Sequence, residues 1–188
     1  MFHELAHQVV YVKDDSVFNE SFAVAVEEAG LQRWLAAEGN AQLDAQFARA
    51  EHQRVIFRDL VRATRERLEA VYAGGASDAE KLAEKQAAFA AMKKAYTNAR
   101  VGETGMAGYD RWFAGHDGEG PNNASLSSVA LYTAQVPAFR ALLAQEGDSL
   151  PRFYARVKEI AVLAKAERNE VLARAAAGSP ARGSSLGH

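Results

Sequence analysis

AQLDAQFARAEHQRVIFRDLVRATRERLEAVYAGG, residues 41–75, decides the fold. No proline or glycine interrupts it before Gly74-Gly75, and Phe47, Val55, Leu60, Leu68 and Tyr72 recur at helical spacings among arginines and glutamates. This is the pattern of a long amphipathic helix closed by glycine. Asp78 is placed to cap a second helix reaching residue 100, so the two form an αα-hairpin. Their Arg and Glu residues read as a solvated face with i,i+4 pairs in preference to a binding surface.

The same periodicity extends outward. Residues 17–37 carry Phe22, Val26, Leu31, Trp34 and Leu35 on one face, with Asp15 or Ser16 as N-cap. Residues 2–12 form a first helix whose tail, Val9-Val10-Tyr11-Val12, is β-branched enough to fray or turn extended. Residues 101–122 break the pattern with six glycines, Pro121 and the cluster Tyr109-Asp110-Arg111-Trp112-Phe113. Such segments carry function more often than scaffold. Helices resume over residues 123–135, 137–146 and 150–177, and residues 178–188 have the composition of a disordered tail. The expected fold is mainly α, with one helical region over residues 1–177.

Composition excludes several classes. A net charge of −2 gives no basic field for a phosphate backbone, so nucleic acid is not expected as a partner. The absence of cysteine removes disulfides and thiolate metal sites, leaving His and carboxylate as the strong zinc ligands. No stretch has the roughly 18 apolar residues of a membrane span.

The chemistry gathers at the start of the chain, at His3-Glu4-Leu5-Ala6-His7. Residues i and i+4 of a helix share a face, so His3 and His7 can address one metal, with Glu4 beside them to take a proton from a bound water. With five histidines in the chain, the motif alone is suggestive and its context has to raise it. A catalytic zinc needs a third protein ligand and an open position. Glu20 supplies the ligand if the second helix folds back antiparallel over the turn at residues 13–16. Glu27, seven residues on, shares that face; it is either a hydrogen-bond partner for the far nitrogen of a zinc histidine or a solvated carboxylate. Only Met1 and Phe2 precede His3, too few to close the first turn of a ligand-bearing helix, so further sequence upstream is expected.

His3-Glu4-Leu5-Ala6-His7-Gln8 followed by Phe18-Asn19-Glu20-Ser21-Phe22-Ala23 resembles the paired zinc signatures of gluzincin aminopeptidases, although the separation of the two is shorter than in their standard members. The stretch through Trp34, with Tyr109-Asp110-Arg111-Trp112-Phe113 and Asn122-Asn123-Ala124-Ser125-Leu126, resembles the bacterial putative aminopeptidase family, formerly a domain of unknown function. Together these segments cover most of the chain. The resemblance implies a zinc-binding helix pair in a gluzincin-like catalytic portion that lacks an upstream, sheet-containing part. It also implies peptide or protein substrates and a bacterial envelope location as a lipoprotein.

Gluzincins add a donor that steadies the tetrahedral oxyanion, and Tyr132 is the first candidate here, with Tyr109 and His116 as competitors. A packed aromatic is the competing reading for each tyrosine. His116 belongs to His116-Asp117-Gly118-Glu119-Gly120, which reads as a local insertion relative to the family pattern. Asn122 and Asn123 either orient a substrate backbone or cap a helix, and capping is preferred. His52 and His188 are taken as structural or irrelevant. The expected function is zinc-dependent peptide hydrolysis with Glu4 as general base. The alternatives are a helical binding or scaffold module that retains metal without turnover, and a chance motif in a helical bundle.

Overall fold

The computed structural model describes residues 2–103, 105–115 and 118–178. His116, His188 and nearly all of the expected tail therefore lie outside the described residues. Helices α1 (Phe2–Val9), α2 (Ser16–Glu38), α3 (Ala41–Ala73), α4 (Asp78–Gly102), α5 (Asp110–Ala114), α6 (Asn123–Thr133), α7 (Val136–Gln145), α8 (Leu150–Ala161) and α9 (Lys165–Ala177) follow in order, with a 3-10 turn at Met106–Tyr109. No strand occurs among the described residues, so the mainly α expectation holds. Among the described residues no helix is long and apolar enough to cross a membrane.

The chain gathers into two compact units, one of Met1–Ala37 with Leu131–His188 and one of Glu38–Ala130. In the first, Phe18, Phe22, Phe139 and Phe153 are fully buried and pack ring against ring, with the Phe18–Phe139 and Phe22–Phe153 centroids 5.2 and 5.8 Å apart. Val157, Ile160 and Leu172 complete this core from α8 and α9. Aromatic rings bury the most apolar area per residue, so α2 and α7 to α9 are held by this cluster. A Glu28–Arg140 pair at 2.7 Å adds a tie between α2 and α7.

Residues 150–177 form two helices instead of the expected one. No proline or glycine intervenes; the break at residues 162–164 is held by polar contacts. The Glu167 carboxylate accepts from the Ala164 amide at 3.2 Å, as the third residue of a capping box does. Arg168 donates to the carbonyl of Leu163, satisfying the end of α8. Its other guanidinium nitrogen lies 2.7 Å from the buried Asp15 carboxylate, and the group stacks 5.5 Å over Phe18. One buried cation thus joins the start of α2 to the α8–α9 corner.

In the second unit α3 packs on α4. The buried face of α3 is Phe57, Val61, Thr64 and Leu68, whereas Val55 and Tyr72 are exposed. Ser77, not Asp78, caps α4, its side chain accepting from the Glu80 amide while Glu80 reaches back to Ser77. In the glycine-rich segment after α4 the aromatic residues pack into the core of this unit. Phe113 stacks on Tyr96 at 3.7 Å and Tyr109 on Phe57 at 4.4 Å. The Tyr96 hydroxyl, placed between the Met106 carbonyl and the Asp110 carboxylate, has its pKa pushed up to about 12 by burial and by the Asp110 charge.

Candidate metal centre

Helix α1 turns its His3, Ala6, His7 and Val10 side inward, with Ala6 and Val10 buried, and leaves Glu4, Leu5, Gln8 and Tyr11 exposed. Positions 3, 6, 7 and 10 form one stripe of a helix, so burying the two apolar members carries both imidazoles to the same side. The α-helix stops at Val9, short of the expected end at residue 12, because Asn19 captures the extended tail. Its side-chain oxygen accepts from the Val12 amide at 2.8 Å and its amide donates to the Val12 carbonyl at 2.7 Å. Asn19 is itself buried.

Helix α2 then returns antiparallel to α1. Val12 meets Asn19, His7 meets Glu20, His3 meets Glu20 and Glu27, and Phe2 lies against Gly30. The last contact requires glycine, since a Cβ at residue 30 would fall 2.9 Å from Cγ of Phe2. Ser21 secures α2 from the other side, its hydroxyl accepting from the Gln135 amide at 3.1 Å at the start of α7.

Within this frame Nε2 of His3 lies 3.2 Å from Oε2 of Glu20, and Nε2 of His7 lies 3.8 Å from Oε1. The imidazole centroids are 5.0 Å apart with planes at 80°. One ligand atom from each of His3, His7 and Glu20 lies within 4.8 Å of the other two. Four-coordinate zinc with bonds of about 2.0–2.1 Å needs donors roughly 3.3 Å apart, so the three residues fit such an ion once their side chains draw together by about 1–1.5 Å. Two imidazoles and one carboxylate are also the donor chemistry that leaves a catalytic position open. All three side chains are about one-fifth exposed, which keeps the centre reachable.

Glu4 is exposed immediately beside His3. Oε2 of Glu27 lies 3.4 Å from Nδ1 of His3. Tyr132 stands on α6 and is 45% exposed; among the described residues no hydrogen bond or ring contact joins it to His3, His7 or Glu20. The aromatic that does reach the centre is Tyr11, its ring 6.1 Å from that of His7. The signal for it was available, since residue 11 lies one turn beyond His7. Tyr109 is occupied by its stack on Phe57, and Asn123 donates to the Tyr72 hydroxyl at 3.2 Å. Asn122 caps α6, its side chain accepting from the Ser125 amide at 3.1 Å. His52 lies on the surface, 3.5 Å from Glu103.

The histidine–carboxylate cluster on these antiparallel helices is a candidate metal centre. The chain belongs to the putative aminopeptidase family, whose model matches residues 1–172. No curated protein and no solved structure matches it.

Proposed function

We propose that this chain hydrolyses peptide bonds, as an aminopeptidase, at a zinc ion held by His3, His7 and Glu20. The observation that carries the reading is the convergence of those three ligand atoms within 4.8 Å, in a member of an aminopeptidase family. When bound, zinc supplies a Lewis acid that polarises a carbonyl and brings the pKa of a water toward neutrality. Glu4 acts as general base, taking the proton of the attacking water and delivering it to the leaving amine. Its exposure beside His3 leaves the carboxylate free to meet substrate. Tyr132 is the donor to the tetrahedral oxyanion that the family resemblance suggests, and Tyr11, whose ring lies 6.1 Å from that of His7, is the competing candidate.

The test is hydrolysis of peptides with a free N-terminus by zinc-loaded protein. Glu4→Gln is expected to retain zinc and to lose roughly 10²- to 10⁴-fold in rate. Retained zinc with no hydrolysis by the wild type would favour a metal-holding scaffold, and equal rates in the two would remove Glu4 from the mechanism.

A further inference from the structure

We infer that Glu27 is a positioning residue for the metal centre, fixing the tautomer and the ring orientation of His3. The inference rests on the zinc reading above. Glu20 and Glu27 are seven residues apart on α2, almost two full turns, and so lie on the same face about 10.5 Å apart along the axis. The His3 ring spans the interval. Its Nε2 is 3.2 Å from Oε2 of Glu20, and its Nδ1 is 3.4 Å from Oε2 of Glu27.

An imidazole that ligates through one nitrogen carries its proton on the other, and an acceptor at that second nitrogen selects the competent tautomer. Glu27 is that acceptor. With its carboxylate 3.4 Å from Nδ1 of His3, Glu27 needs only a small rotation to take the Nδ1–H, which leaves the Nε2 lone pair toward the site and increases the electron density that this lone pair offers. His7 provides the internal contrast. Its Nε2 faces Glu20, but its Nδ1 is buried without a hydrogen-bond partner among the described residues. Of the two histidines, His3 is the one with a carboxylate within 3.4 Å of each ring nitrogen.

The Glu27 side chain is 51% exposed, so its removal takes no volume from the core. Zinc affinity of the full chain, measured by competition with a chromophoric chelator, is expected to fall roughly 10- to 100-fold in Glu27→Ala. Glu27→Gln, whose amide oxygen still accepts from Nδ1–H, is expected to recover most of that loss. Visible bands of the cobalt-substituted protein should shift in Glu27→Ala and return toward wild type in Glu27→Gln, a response that a general loss of stability does not give. Wild-type affinity in Glu27→Ala, or equal losses in the two variants, would overturn the assignment. Failure of the wild type to bind zinc at all would instead overturn the metal reading, and this assignment with it.

Discussion

Asn19 holds Val12 by both its backbone amide and its carbonyl, at 2.8 and 2.7 Å. This pair sets where α1 ends and where α2 begins its return, and Glu20 is the next residue along. Glu20, the proposed third ligand, is therefore delivered by a neighbouring buried amide.

Asn19→Ala is expected to destabilise the chain by about 2 kcal/mol, because it leaves two partly buried backbone groups of Val12 without partners. Asn19→Asp should recover little, since a carboxylate can accept from the Val12 amide but faces the Val12 carbonyl with no proton to donate. Urea unfolding checks the stability. Zinc affinity should fall in parallel if the clamp orders the ligand pair.

Asp15 and Arg168 make the deepest ion pair described. Burial alone would push the Asp15 pKa up, but the Arg168 hydrogen bond, the Phe18 amide and the charges of Lys165 and Arg168 outweigh it and hold the carboxyl below its ordinary 3.8. A folded-state pKa below the unfolded one contributes stability present above about pH 4 and lost as pH falls through the lowered value. Arg168→Met leaves the buried carboxylate with only the exposed Lys165, 3.6 Å away, as a cation, at a cost of up to about 3–5 kcal/mol near neutral pH. In this variant, stability should no longer decline through that acid window in the wild-type manner, as unfolding followed from pH 7 to pH 2 would reveal.

Gly30 and Phe2 should couple. A side chain at residue 30 must displace the Phe2 ring, and His3 follows Phe2 directly in α1. Gly30→Val is expected to weaken zinc binding, and Phe2→Ala in the same chain to relieve part of the loss. A double-mutant cycle on zinc affinity should return a coupling of about 1 kcal/mol. Strict additivity would mean that the two residues do not act through one contact.

Much of this was legible in the sequence because a helix repeats every 3.6 residues and its ligands obey the same spacing. The His3 and His7 pair, the antiparallel return and the convergence on Glu20 follow from that geometry. The α3 face was less legible. Its apolar residues fall on more than one stripe, and only packing on α4 selects Phe57, Val61 and Leu68 over Val55 and Tyr72. Trp34, expected inside, is 43% exposed for the same reason: periodicity proposes faces, and the neighbours choose one. The α8–α9 break had no proline or glycine to announce it, since it depends on Arg168 meeting Asp15, 153 residues away. Asn19 and Ser21 likewise bond to backbone brought near only by the fold. At the glycine-rich segment, the packing of Tyr109 on Phe57 and Phe113 on Tyr96 was not legible from loop composition, because it depends on partners from α3 and α4.

The most direct test of the central claim is the zinc content of the wild-type and Glu20→Ala chains after loading and exhaustive dialysis. About one ion per chain in the wild type and almost none in Glu20→Ala is the predicted result, because a catalytic zinc keeps three protein ligands. A wild type without zinc, or a Glu20→Ala chain that retains as much, would contradict the account.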